Sequence, residues 1–316
     1  MFGRGGNQLP FEILFSAYRR SADEKGPFDP QISYNSSVSQ IEFTILPAPE
    51  TLYRVVDCFR VAHYLGEESL AVRVCPHGFP GMVFQHRQGR SAIENIVRSD
   101  GQVFHAPTLF VHGQVTQLSV MNFKGPYVTI QVVLKPHALK PLFGLEDASI
   151  LTNGAMEPRQ FGAEELNTQL LDAEDDEQRL ALLTDFLCGK LEQAHGNDPL
   201  IEESLDFIDQ NLSVVTVNSL VEHFYISKRQ FQKRFVRAAG IPPQYYIRVK
   251  RFNEAMKLID TGKYETLADV AYALGFFDQS HFIRDIKEFS GITPTSISEK
   301  VNDFHSDQVG SSYLYG

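Results

Sequence analysis

One seventeen-residue pattern occurs twice in this chain of 316 residues, and its two copies begin 51 positions apart. The first copy, residues 227–243, reads SKRQFQKRFVRAAGIPP, and the second, residues 278–294, reads DQSHFIRDIKEFSGITP. A phenylalanine, a glycine and the final proline recur at matching places. A repeat of this length predicts that one supersecondary unit is folded twice.

Each copy, with the residues just before it, fits two short helices joined by a tight turn. The apolar residues ahead of the first copy follow the i, i+3, i+4, i+7 spacing of one buried helix face: Val217, Leu220, Val221 and Phe224. Ser227 and Asp278 are suitable N-caps for the second helix of each unit, and Gly240 and Gly291 are placed to end it in a left-handed turn. The pattern therefore predicts two helix-turn-helix motifs.

The charges are distributed unevenly along the chain. The net charge is −10, yet residues 228–263 contain ten Lys or Arg against two acids, a local balance of +8. The remaining residues therefore carry −18, and residues 164–177 alone contribute seven acids and no base. This asymmetry indicates a polyanion-binding segment within an acidic protein. The acidic run itself is more simply explained as a solvated surface.

The outward face of a second helix is the part of such a motif that enters a DNA major groove. In the first copy this face carries Lys228, Arg229, Gln232, Lys233 and Arg237. Cations suit phosphates or guanine, and glutamine suits adenine. An amphipathic helix between the copies would hold the two recognition helices about 34 Å apart, which separates the segments that they read by about 10 bp.

These residues resemble the DNA-binding domain of the AraC/XylS family of bacterial transcription regulators. The resemblance covers about a hundred residues, from SLVEHFYISKRQFQKRFVRAAGIPPQYYIRVKRFNEAM through LADVAYALGFFDQSHFIRDIKEFSGITP. It implies that bases are read by Arg229, Gln232 and Lys233 and by Gln279, Ser280 and Arg284. It implies phosphate contacts for Ser227, Lys228 and Lys287, and the predicted contact set is completed by Arg237 and His281.

The second copy departs from the family pattern in three ways. Ile286 replaces the usual Phe, Asp285 places an anion on the recognition helix, and the Tyr-Arg that commonly follows the last proline is missing. Residues 266–297 have a net charge of −2. We therefore expect the first motif to supply most of the affinity for DNA.

Residues 41–134 contain six or more short β-rich runs between turn residues, which favours a small sandwich or barrel. This region resembles the cupin-like sensor domains that are often fused to the module, so the expected fold class is α+β. The expected organisation is a loosely ordered arm over residues 1–40, a β-rich cupin-like domain over 41–160, a helical linker over 161–197, a double helix-turn-helix domain over 198–300 and a flexible tail over 301–316. The leucine stripe of the linker is compatible with packing on its own domain or with a dimer contact.

The function that this organisation predicts is a sequence-specific transcription regulator, not an enzyme, whose N-terminal domain senses a small molecule. The expected partners are promoter DNA, RNA polymerase and a second copy of the chain. No cofactor or metal is expected, because the histidines are scattered and form no H-x-H pair. No apolar run is long enough for a membrane span and no signal peptide is evident, so a cytoplasmic location is expected. Two alternatives remain, a metal-dependent cupin enzyme with a DNA-binding tail and a regulator controlled by a protein partner. The sequence names neither the effector nor its binding residues.

Overall fold

The computed structural model describes residues 34–35, 41–193, 198–260, 262, 264–299, 304–306 and 311–314. A β-rich half is followed by a helical half, which confirms the α+β fold class expected from the sequence. The arm expected over residues 1–40 lies outside the described residues, apart from the short strand Tyr34–Asn35. No helix in the described ranges is long and apolar enough to cross a membrane.

The β-rich half contains two antiparallel sheets. Its strands are β1 (Tyr34–Asn35), β2 (Ile41–Pro47), β3 (Val56–Tyr64), β4 (Ser69–Val74), β5 (Gly81–His86), β6 (Ile93–Arg98), β7 (Val103–Phe104), β8 (Leu109–His112), β9 (Ser119–Lys124), β10 (Tyr127–Leu134) and β11 (Ala155–Met156), with β12 (Phe304–Ser306) and β13 (Ser311–Leu314) added from the far end of the chain. One sheet has the order β1-β2-β3-β10-β5-β8-β11 and the other β12-β13-β4-β9-β6-β7.

Side chains from the two sheets pack into a common interior. Ala62 of β3 and Ile93 of β6 belong to one buried cluster, together with Phe123 of β9. Strand β10 is the most apolar of the runs seen in the sequence because it lies between β3 and β5 and pairs with both. The sheets therefore enclose a space between them, as a cupin-like sandwich does.

Of the flexible tail expected over residues 301–316, the structure describes two short strands, β12 and β13. Strand β13 pairs with β4, with Tyr313 opposite Arg73, and β12 pairs with β13. The edge of β4 offers unpaired backbone groups, and such an edge accepts a strand whose own sequence signal is weak. The end of the helical half is thus tied to the sheet of the β-rich half.

Helices cover one side of the β-rich half. They are α1 (Leu139–Phe143), two 3₁₀ turns (Ala148–Leu151 and Pro158–Phe161), α2 (Glu164–Asp172) and α3 (Asp176–Glu192). The leucine stripe lies on α3, where Leu183 and Leu187 are fully buried in the core formed with β3, β5 and β10. A dimer contact made by α3 would therefore have to use its other face.

The helical half contains seven helices within the described ranges. They are α4 (Pro199–Gln210), α5 (Val217–His223), α6 (Lys228–Ala239), α7 (Pro243–Asp260), α8 (Leu267–Ala273), α9 (Gln279–Ser290) and α10 (Pro294–Glu299). This half contains two hydrophobic cores. One surrounds Phe231 and Phe235 of α6 and the other surrounds Phe282 and Phe289 of α9. Helix α7 contributes to both, so we call it the connecting helix.

Candidate nucleic-acid interface and ligand cavity

The two recognition helices, α6 and α9, begin and end as the repeat predicts. The Ser227 hydroxyl accepts a hydrogen bond from the backbone N–H of Gln230 at 3.3 Å, and the Asp278 carboxylate accepts one from that of His281 at 2.7 Å. Both helices end at a left-handed glycine, with φ of 83° at Gly240 and 77° at Gly291. The predicted N-caps and C-terminal glycines are confirmed.

The first helix of each unit is capped by a threonine that the sequence analysis did not single out. Thr216 and Thr266 each form a reciprocal capping box with the residue three positions later, Ser219 and Asp269 respectively. The signal for this feature was present in the sequence as a Thr-x-x-Asp pattern in the second copy. Each of the four helices of the two motifs therefore has a capped N-terminus, which stabilises the helices that carry the outward side chains.

The predicted DNA-contact residues lie on the outward faces of α6 and α9. Ten of the eleven are exposed: Ser227, Lys228, Arg229, Gln232, Lys233, Arg237, Gln279, Ser280, Arg284 and Lys287. His281 is half-buried, with its ring 5.8 Å from that of Phe276 and its Nε2 atom 3.7 Å from the Asp285 carboxylate. The same helices bury Phe231, Phe235 and Phe282 completely.

Many cations of the basic stretch are held by anions of the protein itself. Arg234 pairs with Asp198, and Lys250 contacts Asp209 at 2.9 Å. Lys257 pairs with Glu254 at 2.7 Å in the same way. Such pairs offset the local charge that the sequence shows.

Arg237 also departs from a simple outward position. Its guanidinium lies 3.4 Å from the carboxylate of Glu146, which belongs to the β-rich half. In the part of the chain that the structure describes, the cations of the first motif that form no ion pair are Lys228, Arg229 and Lys233. Lys228 instead donates a hydrogen bond to the Asn218 side chain at 3.2 Å.

The anions of the second motif take part in hydrogen bonds or ion pairs within the protein. Asp278 caps α9, and the Asp269 side chain completes the capping box of Thr266 at the start of α8. Asp285 is only 1% exposed and accepts two hydrogen bonds from Arg248, and Glu288 contacts the same guanidinium at 2.6 Å. Asp285 therefore lies on the second recognition helix, as the sequence indicates, but its charge is buried and paired with Arg248.

The connecting helix fastens the two motifs to one another. The Arg251 guanidinium donates to the backbone carbonyls of Leu212 at 2.9 Å and Val215 at 3.0 Å, in the loop that enters the first motif. The turn of the second motif touches the same loop, because a Cβ atom at Gly275 would lie 1.7 Å from the carbonyl oxygen of Ser213. The two motifs therefore share a contact besides α7.

The β-rich half encloses a cavity of about 460 Å³ between its two sheets. Its walls are mainly apolar and aromatic, including Phe43, Phe110, Met121 and Phe123. Polar side chains also line it, and they include Arg60, His77, Arg98, His112 and Gln131. Pockets of this size and character commonly hold a small organic ligand.

The histidines of this half do not gather into a metal centre. Within the described residues, no group of three or more His, Cys, Asp or Glu side chains is arranged to hold a metal ion. His112 is committed through its Nδ1 atom to the backbone carbonyl of Gly113 at 2.9 Å, and burial lowers its pKa. His77 lies beside it, with ring centroids 5.8 Å apart.

A hydrogen-bonded network connects the cavity to the connecting helix. Arg98 donates to the carbonyl of Asn153 at 2.6 Å, and Asn153 exchanges two hydrogen bonds with Thr116, at 2.7 and 2.8 Å. The Tyr245 hydroxyl on α7 then donates to the Thr116 carbonyl at 2.6 Å. Sequence reasoning did not find these residues, and the only local signal was an Asn-Gly pair that suits the left-handed backbone at Asn153.

A loop after β4 makes a second connection. Cys75 is completely buried in the core of the helical half, and the Pro76 carbonyl accepts a hydrogen bond from Asn253 of α7 at 3.1 Å. The next residue, His77, lines the cavity. The Thr152 hydroxyl also donates to the carbonyl of Gly240, the residue that ends α6, at 2.7 Å. The walls of the cavity and the frame of the DNA-binding motifs thus share residues.

Two families match this chain, one in each half. A family described as a helix-turn-helix domain matches residues 220–300, and one described as a domain of unknown function (DUF6597) matches residues 44–157. The first range contains both recognition helices and the connecting helix. The second contains most of the strands that surround the cavity.

Curated relatives are transcription regulators. The HTH-type transcriptional activator AarP of Providencia stuartii is 30% identical over 97 residues, which cover 30% of this chain and 71% of AarP. The regulatory protein PocR of Salmonella typhimurium is 25% identical over 108 residues, which cover 34% of this chain and 35% of PocR.

Two solved structures show a more distant likeness. The structure of unsaturated fatty acid bound wild-type ToxT from Vibrio cholerae has 13% identity and a TM-score of 0.44, and the match covers 76% of this chain and 94% of ToxT. An AraC-type transcriptional regulator from Chromobacterium violaceum has 21% identity and a TM-score of 0.30, and the match covers 33% of this chain and 92% of that protein.

Proposed function

The chain belongs to the AraC/XylS family of DNA-binding transcription regulators, and from that premise we propose that its two recognition helices read neighbouring major-groove segments of one promoter. The observation that carries this proposal is the pair of capped helices, α6 and α9. Each has an exposed polar face, and both pack in cores to which the connecting helix contributes. Two recognition helices joined by one connecting helix select a longer DNA sequence than one helix does, because each base contact adds its own discrimination.

We assign base reading to Arg229, Gln232 and Lys233 in the first motif and to Gln279, Ser280 and Arg284 in the second. Phosphate contacts come from Lys228 and Lys287, with Ser227 at the helix N-terminus. Arg237 contributes less, because Glu146 holds its guanidinium.

Two substitutions separate these roles. Arg229→Ala should reduce discrimination at particular base pairs by about 1–3 kcal/mol, whereas Lys228→Ala should weaken binding to all sequences alike. Both are measured by titrating the full chain with operator and with random DNA. Equal losses on the two DNAs for Arg229→Ala would refute its base-reading role.

The cavity of the β-rich half is the proposed site of a small-molecule effector. Its volume suits a compact organic molecule, and its mixture of aromatic and polar lining residues favours one with both apolar and polar groups. A bound ligand would contact Arg98 and His77, and both are connected to α7: Arg98 through the hydrogen-bonded network that ends at Tyr245, and His77 through its neighbour Pro76. Ligand binding would therefore affect the position of the helix that joins the two motifs.

A thermal-shift screen of organic acids, sugars and aromatic compounds tests the effector site. A compound at a hundred times its Kd should stabilise the fold by about 2.7 kcal/mol. Val83→Phe, which fills the cavity, should abolish the shift. Leu65→Phe, on an exposed residue outside the cavity, should preserve it. A shift that survives Val83→Phe would place the ligand elsewhere.

The remaining parts of the proposal concern partners and setting. We propose a homodimer that engages RNA polymerase, activates transcription and acts in the cytoplasm, where bacterial promoters are found, without enzymatic activity of its own. Sedimentation of the full chain with and without operator tests the dimer. Transcription in vitro with purified polymerase tests activation. Stoichiometric metal in the purified protein would favour a cupin enzyme instead.

A further inference from the structure

The two recognition helices carry an ion pair at the same position of the repeat. Residue 234 of the first copy corresponds to residue 285 of the second, at the offset of 51. Arg234 of α6 pairs with Asp198, the N-cap of α4, and Asp285 of α9 pairs with Arg248 of α7. The recognition helix supplies the cation of the pair in the first copy and the anion in the second, but the residue lies at the same position of the repeat.

In both pairs the guanidinium and the carboxylate are joined by two hydrogen bonds, which fix the relative orientation of the two groups as well as the distance between them. Arg234 Nε donates to one Asp198 oxygen at 2.9 Å while Nη2 donates to the other. Arg248 Nε and Nη2 donate to the two oxygens of Asp285 at 3.1 and 2.8 Å. A planar guanidinium bound to a carboxylate through two parallel hydrogen bonds tolerates little rotation of either partner.

The second pair is the more restrictive of the two because Asp285 is almost fully buried. A buried carboxylate needs its counter-charge, so movement of α9 away from Arg248 is strongly disfavoured. Arg248 is itself confined, with its guanidinium 5.0 Å from the centre of the Phe289 ring and 2.6 Å from Glu288. The hydrogen bonds that Arg248 donates to Asp285 raise the pKa of Arg248.

The apolar contacts of the recognition helices do not provide the same restriction. Phe231 and Phe235 of α6, and Phe282 and Ile286 of α9, are buried through contacts that are non-directional. Rotation of a helix about its axis would displace the next outward residues directly, and these are the neighbours Lys233 and Arg284. A directional lock at positions 234 and 285 therefore determines where the base-reading side chains point.

We infer that the Arg234–Asp198 and Arg248–Asp285 pairs position the two recognition helices, so that base discrimination depends on four residues that do not touch DNA. This inference rests on the proposed function, because it concerns base reading by the same two helices. The two locks act separately, each on its own half of the operator.

The test uses the full chain and an operator fragment selected by the wild-type protein, with single base changes in one half-site at a time. Arg234→Met should reduce discrimination about tenfold in the half-site read by α6, and Asp285→Asn should do so only in the half-site read by α9. Lys257→Met and Glu254→Gln are the controls, because each removes one member of an ion pair on the connecting helix, outside both recognition helices. Both controls should keep discrimination within about twofold of wild type.

Charge exchange provides a variant that distinguishes positioning from folding. Asp198→Arg and Arg234→Asp should each reduce discrimination alone, and their combination should restore part of it by rebuilding the pair in the polarity of the second motif. The Asp198–Arg234 pair is partly exposed, so this exchange is compatible with folding even if Asp285→Asn unfolds the protein. Recovery in the double variant supports positioning, and absence of recovery contradicts it.

Arg284→Ala separates failure of this inference from failure of the proposed function. If Arg284→Ala loses discrimination while Asp285→Asn and Arg234→Met only weaken binding to all DNAs alike, the helices read bases but the pairs do not position them. If wild type and all variants bind every sequence equally, the proposed function fails and this inference fails with it.

Discussion

The salt dependence of operator binding distinguishes the charge that the sequence shows from the charge that the fold leaves available. Residues 228–263 and the second recognition helix together contain twelve Lys or Arg. In the described part, five of them are exposed without an ion pair: Lys228, Arg229, Lys233, Arg284 and Lys287. We expect each of these cations to offset one phosphate charge in the complex, whether it contacts the phosphate itself or a neighbouring base edge. Since each neutralised phosphate contributes about 0.9 to the slope of log K against log salt, the expected slope is about −4.5.

The corresponding loss of affinity is large enough to measure by fluorescence anisotropy. Raising monovalent salt from 50 to 200 mM should weaken binding about 500-fold, or roughly 3.5-fold for each contact. Lys233→Ala should reduce the slope by about 0.9. Lys257→Ala should leave it unchanged, because Lys257 is paired with Glu254.

A slope near −11, as expected if all twelve cations neutralise phosphates, would refute this reasoning. It would mean that Arg248, Lys250 and the other paired cations leave their partners when DNA binds. A slope unaffected by Lys233→Ala would remove that residue from the interface.

Two further predictions concern the frame of the motifs. Gly275→Ala should destabilise the protein by at least ~3 kcal/mol, since its Cβ would collide with the Ser213 carbonyl; Gly144→Ala, at a similar φ with open space around it, should cost only about 1–2 kcal/mol. Equal midpoint shifts in urea unfolding would contradict this. Tyr245→Phe should cost about 1–3 kcal/mol by leaving the Thr116 carbonyl without its donor, and an unchanged urea midpoint would show that this hydrogen bond does not contribute.

The features predictable from the sequence are those encoded by residues close together in the chain. Caps such as Ser227 and Asp278 act within one helical turn, and the glycines that end α6 and α9 meet a local requirement for positive φ. The duplication strengthened the prediction of these caps and glycines, because each of them occurs at the same position in both copies.

The features that were not predictable depend on residues far apart in the chain. Asp198 and Arg234 are 36 positions apart, and Glu146 and Arg237 are 91 apart, so no local pattern shows which cations are neutralised. The pairing of Asp285 with Arg248, 37 positions away, was not predictable for the same reason. From the sequence alone, an acidic residue on a helix is expected to be exposed to solvent, because its partner on another element is not known.

The cavity and its connection to α7 are likewise products of tertiary structure. Asn153 belongs to a turn, and nothing in its neighbourhood indicates a contact with Thr116, 37 positions away. The pairing of β13 with β4 joins residues more than two hundred positions apart. Sheet edges recruit such strands through backbone hydrogen bonds, which carry little sequence information.

The most direct test of the central claim is to sequence DNA fragments selected from a random pool by the purified full chain. Two recognition helices held by one connecting helix predict two conserved blocks whose centres lie about 10 bp apart. Substitution of Arg229 should degrade one block and substitution of Arg284 the other. A pool without an enriched sequence, or one conserved block that is insensitive to Arg284, would contradict the account.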